Sequence, residues 1–222
     1  MAVGGIAVNM ASAAEIERQI LQLRQRLKLL GEIKWSNVKA RRDSGHKAYA
    51  ELLKELVENN KIHFHMRFQK TGDWDHRRSG NRKKVDTVSR AFYQLVLHRP
   101  VTFYGHHADI HVRPDKGDCT ARLHQYQGQL NSEAAKAQHC GMSCVRSIQA
   151  VDSSSDHFLQ LLDVTLGGLA AIRNNRHKRA DVSQHKYDLA VHIHRLWNNY
   201  DLAQSHPKSA KKFNIWNAKP LK

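Results

Sequence analysis

The chain has 222 residues, enough for one α/β domain with a sizeable core or at most two small ones. Hydrophobic content is an ordinary 41%, no apolar run is long enough to span a bilayer, and the opening "MAVGGIAVNMA" lacks a charged leader, so neither a membrane-spanning helix nor a secretory signal is expected and the chain reads as soluble and cytoplasmic. Lys+Arg is 36 against Asp+Glu 20, a formal charge of +16 with a pI near 10.0, which favours polyanionic partners and nucleic acid foremost.

In chain order, "AVGGIAV" reads as a short buried strand. Ser12 and Glu15 have capping-box spacing, and Ile16, Ile20, Leu23, Leu27 and Leu30 follow at helical intervals, predicting a helix over 13–30 stopped at Gly31. "HKAYAELLKELVEN" is a second helix with Tyr49, Leu52, Leu53 and Leu56 inward. In "IHFHMRFQ", Phe64, Met66 and Phe68 alternate with His63, His65 and Arg67, the pattern of a strand with one polar face. A helix over 85–98 uses Val85, Val88, Phe92, Leu95 and Val96. A strand within "VTFYGHHADIHVR" ends at Pro114, a helix spans 120–138, and "CVRSIQAV" is another strand. "HFLQLLDVTLGGLAAI" (157–172) is an apolar helix whose start is supplied by "SSSD". The last helix, 184–198, turns Tyr187, Ala190, Val191, His194 and Trp197 inward.

Helices alternating with strands point to a single α/β layer domain over 1–222. Two polar segments interrupt it, 71–84 and 173–186, and both read as basic loops. Arg77, Arg78, Arg82, Lys83 and Lys84 in the first, and Arg176, Lys178 and Arg179 in the second, are candidates for gripping a phosphate backbone, with Arg113 beside them. The three cysteines lack the spacing of a zinc site or a disulfide framework, and the 16 histidines are dispersed; His124, His177 and His206 occupy surface-like positions, which argues against a metal-handling protein.

Three carboxylates stand out. Asp163 shares an apolar stripe with Leu159, Leu166 and Ala170, two turns inside its helix, where a charge is costly unless it pairs, binds a metal or takes up a proton. A buried ion pair with an arginine or lysine accounts for it equally well. In "GEIKW", an extended chain puts Glu32 and Lys34 on one face and Ile33 and Trp35 on the other, which suits metal and phosphate chemistry and equally describes a surface salt bridge. Asp115 follows the strand "DIHVRPD", where open α/β sheets place their sites, although a turn residue in "RPDKGD" looks the same; Asp109 is its competitor.

Taken together, "GEIKWS…YAELLKELVENNKIHFHMRF", "IHVRPDKG", "VDSSSDHFLQLLDVTLGGLAA" and "KFNIW" resemble the domain of unknown function 3800 family, in order and over essentially the whole chain. The resemblance implies a ribonuclease H-like fold, a mixed sheet flanked by helices. By position Glu32 matches the family's early glutamate, Asp163 its helical aspartate, Asp115 the acid ending the mid-chain strand, and Asp152 an element just before the helix. The implied chemistry is phosphodiester hydrolysis with Mg²⁺ or Mn²⁺ held by Glu32, Asp115 and Asp163, with Lys34 neutralising the scissile phosphate and the basic loops holding the backbone.

The chain departs from the family at its start. Family members open with a strand bearing an acidic element before the Gly-Gly strand, and here that first, central strand is missing. Its loss leaves neighbouring strands with orphaned backbone groups at about 1–3 kcal/mol each, against a total stability of about 5–15 kcal/mol. The expectation is a nuclease-like chain impaired in this form, through a start placed too late, a degraded gene or a non-catalytic remnant. The rival reading is a basic module that binds nucleic acid without cutting it.

Overall fold

A computed structural model of the protein describes residues 1–39, 43–69, 84–117, 123–137, 140 and 143–219. Strand β1 (Ala2–Val8) leads into helix α1 (Met10–Arg26). Asn9, whose side chain accepts a 3.0 Å hydrogen bond from the Ala11 amide, is the cap, three residues ahead of the predicted Ser12. The helix also ends four residues earlier than expected. Lys28 takes a left-handed φ of 50°, and Gly31, at φ 72°, turns the chain into an extended 32–34 segment and a 3₁₀ turn over Trp35–Asn37.

Helix α2 (Asp43–Glu58) buries Tyr49, Leu53, Leu56 and Val57 against the main core and feeds strand β2 (Ile62–Gln69). The predicted polar face of β2 does not exist. β2 is the middle strand of a three-stranded sheet, antiparallel to β1 and parallel to β5 (Phe213–Ala218). Helices contact it on both sides, so His65 and Arg67 are buried along with Phe64 and Met66. β5 has no counterpart among the sequence-derived elements.

Helix α3 (Lys84–Val96) continues through a π turn, Leu97–Val101, into the short helix α4 (Thr102–Tyr104). The strand predicted within 101–113 ahead of Pro114 is strand β3 (Ile110–Val112), and residues 101–104 before it are helical. After helix α5 (Leu123–Ala137), strand β4 (Val145–Ile148) pairs parallel to β3 as a separate two-stranded sheet. This sheet and the π turn enclose a second core around Val101, Leu130 and Val145.

Helix α6 (His157–Arg173) is capped by Asp156, as "SSSD" predicts, and packs against α2, β1 and helix α7 (Gln184–Leu196). Gly4 of β1 makes room for Leu166 and Leu162, since a Cβ there would lie 2.9 Å from the nearer side chain. The segment 173–186 is more ordered than a loop: Arg173 ends α6, Arg176–Lys178 forms a 3₁₀ turn, and Gln184–Lys186 begins α7. On α7, Leu189, Ala190 and Ile193 are buried with Trp197, whereas the predicted Tyr187 is exposed. The result is a mixed α/β fold with two small sheets. Among the described residues no helix is long and apolar enough to cross a membrane.

Candidate functional site

The 32–37 segment, extended up to Lys34 and a 3₁₀ turn beyond it, has its backbone groups met by side chains, several of them from two helices. Gln160, fully buried on α6, accepts from the Ile33 amide at 3.1 Å, and Asp163 accepts from the Trp35 amide at 2.7 Å. Amides two residues apart in an extended strand point the same way, and side chains three apart on a helix share a face, so the two spacings match. Asn37 closes the loop on itself, accepting from the Lys34 amide at 3.0 Å and donating to the Glu32 carbonyl at 2.9 Å. His46 of α2 donates from Nε2 to the Lys34 carbonyl at 3.0 Å.

Gln160 is also the hub of a wider network. Its amide group donates to the Ser153 carbonyl at 2.8 Å, and its oxygen accepts from Arg24 of α1 at 3.1 Å. Arg24 in turn donates to the Tyr49 hydroxyl at 3.0 Å and the Gly31 carbonyl at 2.7 Å. Four elements therefore fix one loop, and a tight network of this kind rigidifies what it holds. Trp35 lies on α6 at Gly167, where a Cβ would meet the indole at 2.3 Å.

This scaffold presents Glu32 and Lys34 on one face, with Ile33 fully buried on the other, as an extended chain requires. Lys34 Nζ lies 2.8 Å from Glu32 Oε1, and Ser153 donates to the same oxygen at 2.7 Å. Asp115 stands at the end of β3, where the ladder continues past the strand: Val151 donates to the Pro114 carbonyl and Lys116 to the Val151 carbonyl, each at 2.9 Å. The hydrogen bond to Glu32, together with the charges of Asp115 and Asp163, raises the Lys34 pKa above the ordinary lysine value. Burial raises the Asp163 pKa, and repulsion from Asp115 and Glu32 adds to it; the Trp35 amide and Lys34 oppose the rise. Glu32 and Asp115 thus both act on Asp163, and all three act on a single ammonium, although 83 residues separate Glu32 from Asp115 and 48 separate Asp115 from Asp163.

Asp163 pairs with no arginine or lysine directly among the described residues; a backbone amide takes that place. Asp109 forms an exposed pair with Arg146 at 2.9 Å and is not among the charges acting on Lys34 or Asp163. Asp152 is exposed and accepts from the Ser154 amide at 2.9 Å; hydrogen bonding to Ser154 lowers its pKa, assisted by Lys116 and Lys34. The donors offered are hard carboxylate oxygens in excess over one ammonium, chemistry that fits Mg²⁺ or Mn²⁺. With Lys34 seated among them, no three His, Cys, Asp or Glu side chains among the described residues are grouped closely enough to hold a metal ion.

A cleft of about 390 Å³ opens beside Asp163, between the C-terminal half of α6, the 176–182 segment and the start of α7. Leu166, Gly167 and Ala170 line it together with Trp35, and Arg176, Arg179 and Lys186 border it. Arg179 is paired with Asp181 at 3.0 Å through both of its nitrogen–oxygen contacts. Arg176 is exposed, and Lys186 Nζ lies 6.0 Å above the Trp35 ring. His177, read from sequence as a surface histidine, is buried; its Nδ1 donates to the Ala171 carbonyl at 3.2 Å and its ring packs on Tyr187.

Of the other predicted phosphate-binding residues, Lys178 is exposed outside the cleft lining, and Arg113 bridges to Asp156 at 3.1 Å. Arg77, Arg78, Arg82 and Lys83 lie outside the described residues, and Lys84 is described only as the first residue of α3. Sequence reasoning missed Gln160, Asn37, His46 and Lys186. For Gln160 the signal was present, a second polar residue one turn before Asp163 in an otherwise apolar helix. No protein-family model matches the chain, nor does any curated protein or solved structure.

Proposed function

We propose that the protein is a divalent-metal-dependent, nuclease-like phosphodiester hydrolase with a ribonuclease H-like architecture, as its resemblance to the domain of unknown function 3800 family implies. The observation that carries the reading is the convergence of the charges of Glu32, Asp115 and Asp163 on Lys34, beside a cleft bordered by cations. Glu32, Asp115 and Asp163 would hold Mg²⁺ or Mn²⁺, which when bound supplies an activated water and charge neutralisation at a phosphoryl group. Lys34, charged across the neutral range, offsets carboxylate repulsion and is placed to neutralise a phosphate oxygen. Gln160 and the Trp35 amide keep the 32–35 segment in register with Asp163. An antiparallel β1–β2 pair, a parallel β3–β4 pair and a late helix carrying an acid fit the architecture.

The second reading, a basic module that binds nucleic acid without cutting it, draws on the ion pair between Lys34 and Glu32, which already neutralises one acid of the set. Cleavage of labelled RNA and DNA oligonucleotides with added Mg²⁺ or Mn²⁺ separates the two. Metal-dependent cleavage lost in Asp163→Asn and Glu32→Gln supports the hydrolase. Tight, salt-sensitive binding without cleavage, unchanged by Asp163→Asn, supports the module instead.

A further inference from the structure

The cleft beside Asp163 has a composition that the acid cluster does not explain. Its floor is apolar, made by Leu166, Gly167 and Ala170 of α6, and the indole of Trp35 stands at one end. Three cations border it, Arg176, Arg179 and Lys186. Neither Arg176 nor Lys186 has a carboxylate partner among the described residues, whereas Arg179, on the same rim, is spent on Asp181. Lys186 is half-buried with its ammonium 6.0 Å above the Trp35 ring, and Arg176 is exposed on a 3₁₀ turn. An apolar floor with an aromatic wall and unpaired cations above it matches a ligand that is flat and apolar in one part and anionic in the next.

We infer that this cleft is a subsite for single-stranded nucleic acid, in which an unpaired base lies against Trp35 and the α6 floor while the flanking phosphates meet Arg176 and Lys186. A duplex gains little here, because its bases are already stacked on each other and present only an anionic exterior. An unpaired base exchanges water for an aromatic surface, and such stacking tolerates any sequence because every base has a π face. The glycine at 167 seats Trp35 directly on α6, so the wall is fixed before any ligand arrives. Asp163 lines the same cleft, so a strand held there lies beside the acid cluster. This assignment deepens the hydrolase reading by naming its substrate class, yet as a binding site it stands without any cleavage.

The test is fluorescence anisotropy of the full chain with labelled 12-residue oligonucleotides, single-stranded RNA, single-stranded DNA and the corresponding duplexes, in EDTA so that no cleavage enters. Single strands should bind at least about tenfold tighter than duplex of the same length, within the range expected for one stacked base. Arg176→Glu with Lys186→Glu should weaken single-strand binding about tenfold or more, and the Arg176→Gln, Lys186→Gln pair should lower the salt slope by about 1.4. Trp35→Leu should abolish the preference for single strands while leaving duplex affinity unchanged. Should Trp35→Leu fail to fold by circular dichroism, the exposed charge reversals still decide. Equal or tighter duplex binding, or single-strand affinity indifferent to both charge pairs, overturns the subsite. Loss of cleavage in Asp163→Asn with intact single-strand binding upholds both readings; absence of cleavage in the unaltered protein with the predicted preference intact removes the hydrolase and keeps the subsite. RNA and DNA arms that differ identify the sugar it accepts.

Discussion

Lys34 and Lys186 are both half-buried lysines near Trp35 and α6, yet their surroundings differ in kind. Lys34 has Glu32 at 2.8 Å, feels Asp115 and Asp163, and springs from a backbone held by Gln160, Asn37 and His46. Lys186 sits on the first turn of α7 over an indole, with no carboxylate ion pair among the described residues. The first region is closed upon itself, each donor matched to an acceptor. The second leaves its charge unmatched and its floor apolar. A chain that has 20 acids for 36 lysines and arginines must leave some cations unpaired, and the comparison shows where it spends its acids.

The closed region should be the costlier to disturb. Gln160→Ala deletes the hub, orphaning the Ile33 amide and the Ser153 carbonyl in the interior. A loss of about 3–4 kcal/mol is expected, read from urea denaturation midpoints. If the loss is under 1 kcal/mol, the network is incidental to the fold.

Asp163 separates its two roles by substituent. Asp163→Ala leaves the Trp35 amide without its acceptor and should cost about 1–3 kcal/mol. Asp163→Asn keeps an acceptor oxygen and should be neutral or stabilising at pH 7. The sign follows from the raised carboxyl pKa: the native state holds the proton more tightly than the unfolded chain, so ionisation costs stability as the pH rises through the native value. Below the ordinary carboxylate range the unaltered protein carries a neutral side chain too, and the advantage of asparagine should vanish. Thermal unfolding at pH 7 and near pH 3.5 measures both arms.

Gly167→Ala drives a Cβ into the indole and should cost about 1–2 kcal/mol, the overpacking partly offset by better helix propensity. It should also weaken single-strand binding, since Trp35 can yield only toward the cleft or the loop. Arg179→Ala, on the open rim, breaks an exposed pair and should change stability by less than about 0.5 kcal/mol.

Much of this contrast was legible in the residues. "GEIKW" alone gives Ile33 inward with Glu32 and Lys34 together outward, because alternation in an extended chain is independent of what surrounds it. Asp163 marks itself by sitting in an apolar helix, but its direct partner is a backbone amide 128 residues away, and amides leave no trace in composition. Gln160 was visible only as a neighbour for the same reason. Within "VTFYGHHADIHVR" the residues do not say where the strand lies: it is Ile110–Val112, while Val101 and Phe103, buried, belong to the helical turns before it. The histidine and arginine of "IHFHMRF" read as a solvent face because periodicity reports side, and only tertiary structure reveals that helices cover both. β5 escaped because pairing with β2, contributed from far away in the chain, gives "FNIWNA" its partner.

The seat of Trp35 on Gly167 has an optical consequence. Trp197 is fully enclosed by Phe64, Phe213 and Tyr200, and Trp216 is flanked by the guanidinium groups of Arg67 and Arg99 at 4.7 and 5.1 Å. Among the described tryptophans, Trp35 is the one whose emission is exposed to whatever enters the cleft, so quenching of its intrinsic light gives the molecule an occupancy gauge that needs no label.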